Sequence, residues 1–253
     1  ILNVLLQKQF PIKMEGGFLL QLKKLWNKIL ELLIPPACLV CGNRIDDRHQ
    51  VICSDCEAKL YLIGEGTCPV CGSENKKLPC EFCAEGQFNF DSAISIFRYS
   101  GPVRDLIHIL KYEGYSSPAG YFALPIAELI ESHTALKNYD YICSVPLHRV
   151  RKRERGYNQS DLIAYAVAQL IDMLYLNPVQ RRINTLSQTL LSRDHRIKNL
   201  EGAFKVKDKK LVEGKKIILI DDVFTTGSTL NEIAKTLHSA GAEKICAITV
   251  ARA

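Results

Sequence analysis

From Asp91 onward, short apolar runs alternate with longer amphipathic ones. The segments "SAISIFRY", "YICSVPL", "KIILI" and "KICAITVAR" are rich in β-branched and aromatic residues over strand-like lengths. Between them, "VRDLIHILKYEG", "SDLIAYAVAQLIDML" and "STLNEIAKTLHSAG" space their apolar residues for helices with one buried face. Strand and helix alternation with short connections predicts an α/β domain over residues 91–253, a mainly parallel sheet with flanking helices. Ile217 to Ile220 are apolar without a break, which predicts a buried central strand, and a helix is expected to begin near Ser228.

Upstream the texture changes. Over residues 18–33, Phe18, Leu22, Leu25, Trp26, Ile29 and Leu33 share one face of a predicted helix, with Lys23, Lys24, Asn27, Lys28 and Glu31 mostly opposite, before Pro35 and Pro36 stop it. Such a helix either lies on a membrane or partner surface or covers the next module, and the pattern fits both. Residues 1–34 are therefore set apart as an amphipathic N-terminal segment. Within it, residues 1–13 precede Met14, read as a start-site artefact and are given no function.

Residues 35–90 show turns and knuckles in place of periodicity. Eight of the ten cysteines fall there, in four Cys-x-x-Cys pairs: Cys38/Cys41, Cys53/Cys56, Cys68/Cys71 and Cys80/Cys83. The spacing lets two thiolates of one tight turn face a single ion, and two pairs complete a tetrahedral site, so four pairs predict two zinc ions. The glycines of "CLVCG" and "CPVCG" relieve the turn that aims backbone amides at sulfur. A redox dithiol needs one such pair on a βαβ unit, a context absent here. No open ligand position is implied, so both zincs are expected to be structural, folding a module too small to bury a core of its own. Consecutive pairing is the default, and a crossed arrangement uses the same residues. Cys143 and Cys246 lie inside strand-like runs and read as small buried apolar residues.

Composition adds bounds rather than a function. The 253 residues are 47% hydrophobic, enough for one globular domain and a smaller module, and the net charge of +6 is compatible with an anionic ligand without demanding one. Clustered Cys-x-x-Cys pairs suit a reducing compartment, and no run of about 18 apolar residues would span a bilayer. A soluble, cytoplasmic protein is expected.

The candidate chemistry lies in "KIILIDDVFTTGSTL" (216–230). The loop follows a strand and opens a helix, where free N–H groups and the helix dipole favour a phosphate. Thr225, Thr226, Ser228 and Thr229 add hydroxyls, and Gly227 permits close approach. No lysine follows the glycine, as a Walker A loop requires, and the dinucleotide fingerprint is absent. Asp221 and Asp222 would repel the phosphate itself, so they are expected to meet sugar hydroxyls or a divalent cation, and a ribose 5-phosphate fits both demands.

This loop resembles the phosphoribosyl pyrophosphate (PRPP) loop of type I phosphoribosyltransferases. Together with the cysteine module, "VPLHRVRKRERGYNQS" (145–160) and "RRINTLSQTLLSRDHRIKNLEGAF" (181–204), the chain from Pro35 onward is similar to the ComF family, the ComFC-like proteins of bacterial competence and DNA uptake. The resemblance implies a type I phosphoribosyltransferase-like sheet behind a zinc-ribbon-like module. It implies that Asp221 and Asp222 contact the ribose hydroxyls and Thr225 to Thr229 the 5-phosphate. "SVPLH" would receive pyrophosphate with Arg155 contributing charge, Lys111 would be a further basic position, and Mg²⁺ would accompany PRPP. A helicase-like competence partner, and membrane association through partners, are also implied.

Two basic regions remain. Arg149, Arg151, Lys152, Arg153 and Arg155 crowd a predicted strand end, followed by Tyr157, and Arg181, Arg182, Arg193, His195, Arg196 and Lys198 form a second region, with "RDHR" in an expected helix. Cationic tracks with aromatic faces suit single-stranded DNA, and Arg149, Arg151, Lys152, Arg153, Arg193 and Arg196 are the candidates. His148 and His195 are given no catalytic role. Two outcomes stay open: a DNA-uptake protein whose cleft binds PRPP or a related ribose phosphate, or an active enzyme transferring phosphoribose to an unknown acceptor.

Overall fold

The computed structural model describes residues 35–47, 49–64, 66–74, 80–84, 88–183 and 200–253. The predicted helix of residues 18–33 and the segment carrying Arg193, His195, Arg196 and Lys198 lie outside the described residues. Two helical turns, α1 (Ser54–Glu57) and α2 (Glu81–Ala84), belong to the cysteine module. The chain then runs β1 (Ser92–Arg98), α3 (Gly101–Tyr112), α4 (Ser117–Ser132), α5 (Thr134–Lys137), β2 (Tyr141–Ser144), α6 (Arg149–Arg155) and α7 (Gln159–Leu170). It closes with β3 (Val179–Arg181), β4 (Phe204–Val206), β5 (Lys216–Phe224), α8 (Ser228–Ser239) and β6 (Lys244–Arg252).

The order β1-β6-β5-β2 forms a parallel sheet, with Ile217 paired to Ile245 and Tyr141 to Ile217. β5 is interior, as its unbroken apolar run predicts. Ile218 and Ile220 pack on one face with Leu106 and Leu110 of α3, Phe122 of α4 and Ile163 of α7. Ile217 and Leu219 pack on the other with Leu230, Ile233 and Leu237 of α8. The side chains of Ile217 to Ile220 are all fully buried, each worth about 1.5–3 kcal/mol. The antiparallel pair β3-β4 joins the second face through Val179 and Phe204.

Both sheet edges are covered, which blocks pairing with another chain. Residues 61–63 run antiparallel to β1, with Ile63 N donating to Ile96 O at 2.8 Å and Arg98 N to Tyr61 O at 2.9 Å. Beside β2, Ile142 N donates to Leu174 O at 2.9 Å.

The cysteine module is split by that crossing. Cys38, Ile45, Ile52 and Cys56 enter the core under α3 and α4. Cys68, Cys71 and Cys80 pack against Phe82 and Phe88, which reach the core under α8. Cys143 and Cys246 are buried, and burial pushes their thiols up to about 12 and about 11, so both are inert packing residues. Among the described residues, no helix is long and apolar enough to cross a membrane.

Candidate functional site

The eight module cysteines gather into two tetrads, Cys38/Cys41/Cys53/Cys56 and Cys68/Cys71/Cys80/Cys83, which settles the pairing as consecutive. Sulfur separations are 3.6 Å for Cys41–Cys53, 3.6 Å for Cys68–Cys83 and 3.8 Å for Cys71–Cys80. Zinc–sulfur bonds of about 2.3 Å place tetrahedral sulfurs about 3.8 Å apart, so four thiolates here fit one zinc in each tetrad. Burial opposes the Cys38 thiolate, but the amides of Cys41, Cys53 and Val40 outweigh it and lower the thiol to about 6. Cys68 is brought to about 7 in the same way by the amides of Cys71 and Val70. Gly42 and Gly72 adopt φ of 76° and 70°, the left-handed geometry that closes each knuckle. Zinc in these sites would fold the module and carry no reaction.

At the carboxyl ends of β2 and β5 lies a cleft of about 240 Å³. Every sequence-predicted sugar-phosphate residue lines it: Lys111, Arg155, Asp221, Asp222, Thr225, Thr226, Gly227, Ser228 and Thr229. The floor of the loop is Gly227, at φ 74° immediately before α8. A Cβ there would come within 2.6 Å of Phe224 Cζ and 3.1 Å of Phe88 Cε1, so only glycine fits without moving a ring. The Thr226 and Ser228 hydroxyls meet at 2.7 Å, and the amino end of α8 opens into the cleft with its dipole favouring an anion.

The two acids are not equivalent. Asp222 is buried; it accepts from Lys111 Nζ at 2.7 Å and from Gln159 Nε2 at 2.6 Å. Burial works against the Lys111 charge, yet the Asp222 carboxylate holds its pKa above the ordinary lysine value. Asp221 accepts from the Ser160 hydroxyl at 2.9 Å and from Asp222 N at 2.9 Å. Burial, then the Asp222 charge, push Asp221 up to about 7. One carboxylate is thus locked into the protein's own ion pair, and its neighbour is poised to gain or lose a proton at the cleft.

The basic run of residues 149–155 is sorted by helical geometry. Arg151 and Arg155, one turn apart on α6, line the cleft, while Arg149, Lys152 and Arg153 are exposed. Arg151 therefore lines the cleft beside Arg155, whereas the sequence groups it with the DNA candidates. Lys152 approaches Asp161 at 3.4 Å. Arg155 donates to Gln159, and its guanidinium carbon sits 5.2 Å from the Tyr112 ring centre at the cleft wall.

Tyr157, read from the sequence as a base-stacking aromatic, has a different task. Its hydroxyl donates to Leu110 O at 2.5 Å, and the ring packs against the core, fixing the end of α3 that carries Lys111. His148 caps α6, its Nδ1 accepting from Val150 N at 3.3 Å.

Three cleft residues escaped the sequence reading as site residues. Gln159 and Ser160, at the start of α7, clamp the acid pair; their signal was a polar Asn-Gln-Ser run opening a helix after Gly156, whose φ is 85°. Arg181 reaches the cleft from β3, and burial and the facing Arg151 charge push it down to about 10. Arg151 and Arg181 thus share the cleft with Asp221, whose charge offsets part of their mutual repulsion.

Comparison with known proteins agrees with this architecture. The double zinc ribbon domain model matches residues 29–86, and the phosphoribosyl transferase domain model matches residues 162–253. The DNA utilization protein YhgH of Escherichia coli K12 is 32% identical over 220 residues, 85% of this chain and 96% of that protein. Competence protein F of Haemophilus influenzae is 32% identical over 224 residues, with the same coverage of 85% and 96%. Competence protein ComFC of Streptococcus pneumoniae is 29% identical over 233 residues, 85% of this chain and 99% of that protein. Among solved structures, the purine phosphoribosyltransferase of Pyrococcus horikoshii superposes with a TM-score of 0.34 and 14% identity, covering 53% of this chain and 80% of that one. Relatives 32% identical across nearly their whole length, together with both domain models in one chain, show that this chain belongs to the ComF family of competence and DNA-utilization proteins.

Proposed function

We propose that the cleft binds PRPP or a related ribose phosphate, with Mg²⁺, and that the protein handles single-stranded DNA during uptake or use of that DNA. One observation carries the first half. A hydroxyl-lined phosphate loop, an acid pair and four cations, Lys111, Arg151, Arg155 and Arg181, line one cleft of about 240 Å³. The 5-phosphate fits the amino end of α8, the ribose hydroxyls fit Asp221, and the cations fit a pyrophosphate.

Isothermal titration with PRPP and Mg²⁺ tests this. Wild type is expected to bind, and Asp221→Asn to lose at least about tenfold in affinity, the loss of one charge-assisted hydrogen bond. Absence of wild-type binding would overturn the reading. Asp222 is the poorer probe, because its removal strands the half-buried Lys111 charge that it pairs, which perturbs the cleft as well as ligand binding.

The same cations support a second reading, turnover. The C1–oxygen bond to pyrophosphate would break, an acceptor nucleophile would bond to C1, and the departing negative charge would be borne by Lys111, Arg151, Arg155 and Arg181. Pyrophosphate release in the presence of candidate acceptors measures it.

The DNA half rests on the exposed cations Arg149, Lys152 and Arg153 of α6, at the side of the cleft, and on the names that the relatives carry. Changing all three to Ala should weaken single-stranded DNA binding and reduce the slope of log affinity against log salt by about 0.7 for each phosphate no longer neutralised. An unaltered slope removes α6 from the DNA path.

A further inference from the structure

The wall behind the phosphate loop is built by the cysteine module. Phe88, just beyond the last cysteine, presents its edge to Gly227 and stands with its ring centre 6.3 Å from that of Phe224, the residue that ends β5. Phe82, inside α2 and next to the zinc ligand Cys83, stacks on Phe88 at 5.8 Å and meets Phe224 at 6.0 Å. Arg252 closes the group. Its guanidinium carbon lies 4.8 Å from the Phe82 ring centre and 4.4 Å from that of Phe224, and its Nη1 donates to Cys71 O at 2.7 Å. Finally, Asn89 donates from its backbone at 2.6 Å and from its side chain at 2.9 Å to Asn231 Oδ1, in the first turn of α8. The first tetrad makes no such approach: Cys38 and Cys56 lie in the core of the opposite sheet face.

We infer that the second cysteine tetrad is a positioning element of the phosphate loop: metal held by Cys68, Cys71, Cys80 and Cys83 fixes Phe82 and Phe88, and these hold Gly227 and the start of α8 in place. Phe88, Asn89 and Arg252 are positioning residues and touch no ligand. Metal retention at the second tetrad and anion binding in the cleft are thereby linked, and each strengthens the other. The first tetrad stabilises the fold without that link. The ligand arm rests on the ribose-phosphate reading; the conformational arm does not.

Hydrogen–deuterium exchange on the full-length, zinc-loaded protein separates the two. In Phe88→Ala, which keeps all eight cysteines, and in Cys83→Ser, a peptide covering residues 224–231 should exchange at least about tenfold faster, while β2 keeps its protection. Phe88→Tyr, which retains the ring, should restore the wild-type rate. Cys41→Ser, at the exposed ligand of the first tetrad, should change that peptide no more than it changes β2. Three results would overturn the inference: no change in Phe88→Ala and Cys83→Ser, a change in Cys41→Ser confined to that peptide, or simultaneous opening of β2 in Phe88→Ala, which makes the effect global. A parallel titration with PRPP and Mg²⁺ decides the ligand reading separately. Wild type that fails to bind while the exchange pattern holds removes the ribose phosphate and leaves the mechanical link standing.

Discussion

The two cysteine tetrads share one pattern of four thiols and one knuckle geometry, yet they sit in different mechanical settings. The first shares a core with α3 and α4, through Ile45, Ile52 and Cys56. The second forms a small cluster of its own, whose aromatic edge is the back wall of the phosphate loop. The contrast extends to the paired glycines. A Cβ on Gly42 meets nothing within 4 Å, whereas one on Gly72 would come within 2.5 Å of Ala93 O in β1. The lesson is that a repeated metal motif can serve stability in one copy and site geometry in the other, because what matters is which surface each copy is packed against.

The strongest way to break this comparison is to remove one ligand from each tetrad. A structural zinc contributes about 10 kcal/mol or more to its module, so either loss is large. Cys56→Ser should depress the melting temperature more, since its tetrad lies in the larger core, and Cys83→Ser should depress PRPP affinity more. Equal effects on both readouts would erase the distinction. Next in size, Gly72→Ala should cost about 1 kcal/mol for the left-handed backbone and a further 1–3 kcal/mol, roughly, for the clash with Ala93. Gly42→Ala should cost only about 1 kcal/mol, and denaturant midpoints compare the two.

Arg252→Met sharpens the comparison further. It deletes the cation between Phe82 and Phe224 and the bond to Cys71 O, a loss of about 1–2 kcal/mol. Release of zinc to a chromophoric chelator should quicken for one of the two ions and leave the other unchanged.

A separate, pH-dependent effect lies in the cleft itself. Asp221 is pushed up to about 7 in the folded state, above the ordinary carboxylate near 3.9, so the folded protein holds the proton more tightly than the unfolded chain. That contribution is complete below about pH 4 and is lost as pH rises through about 7. Asp221→Asn should remove this decline, seen as a flatter dependence of the denaturation midpoint on pH. An identical slope in both proteins would place the titration elsewhere.

Much of this molecule is readable along the chain because its signals are local. Four Cys-x-x-Cys turns declare two metal sites, since spacing alone brings the thiols of each turn together. An unbroken Ile217–Ile220 run declares a strand covered on both faces. Acids followed by Thr, Gly and Ser declare a strand-to-helix junction at a cleft, because helix ends expose N–H groups wherever they occur.

What only the tertiary structure decided are the pairings between distant segments. Asp222 lies 111 residues from Lys111, and no local pattern says that its carboxylate is already committed to that lysine while Asp221 stands poised. The run of five cations looks uniform until α6 turns Arg151 and Arg155 inward and leaves Arg149, Lys152 and Arg153 in solvent. Phe88 carries no motif at all. Its place against Gly227 follows from the chain crossing the β1 edge at residues 61–63, which sends one tetrad to each face of the sheet. Local spacing determines which groups can bind an ion or an anion. The packing of the sheet determines which of them meet.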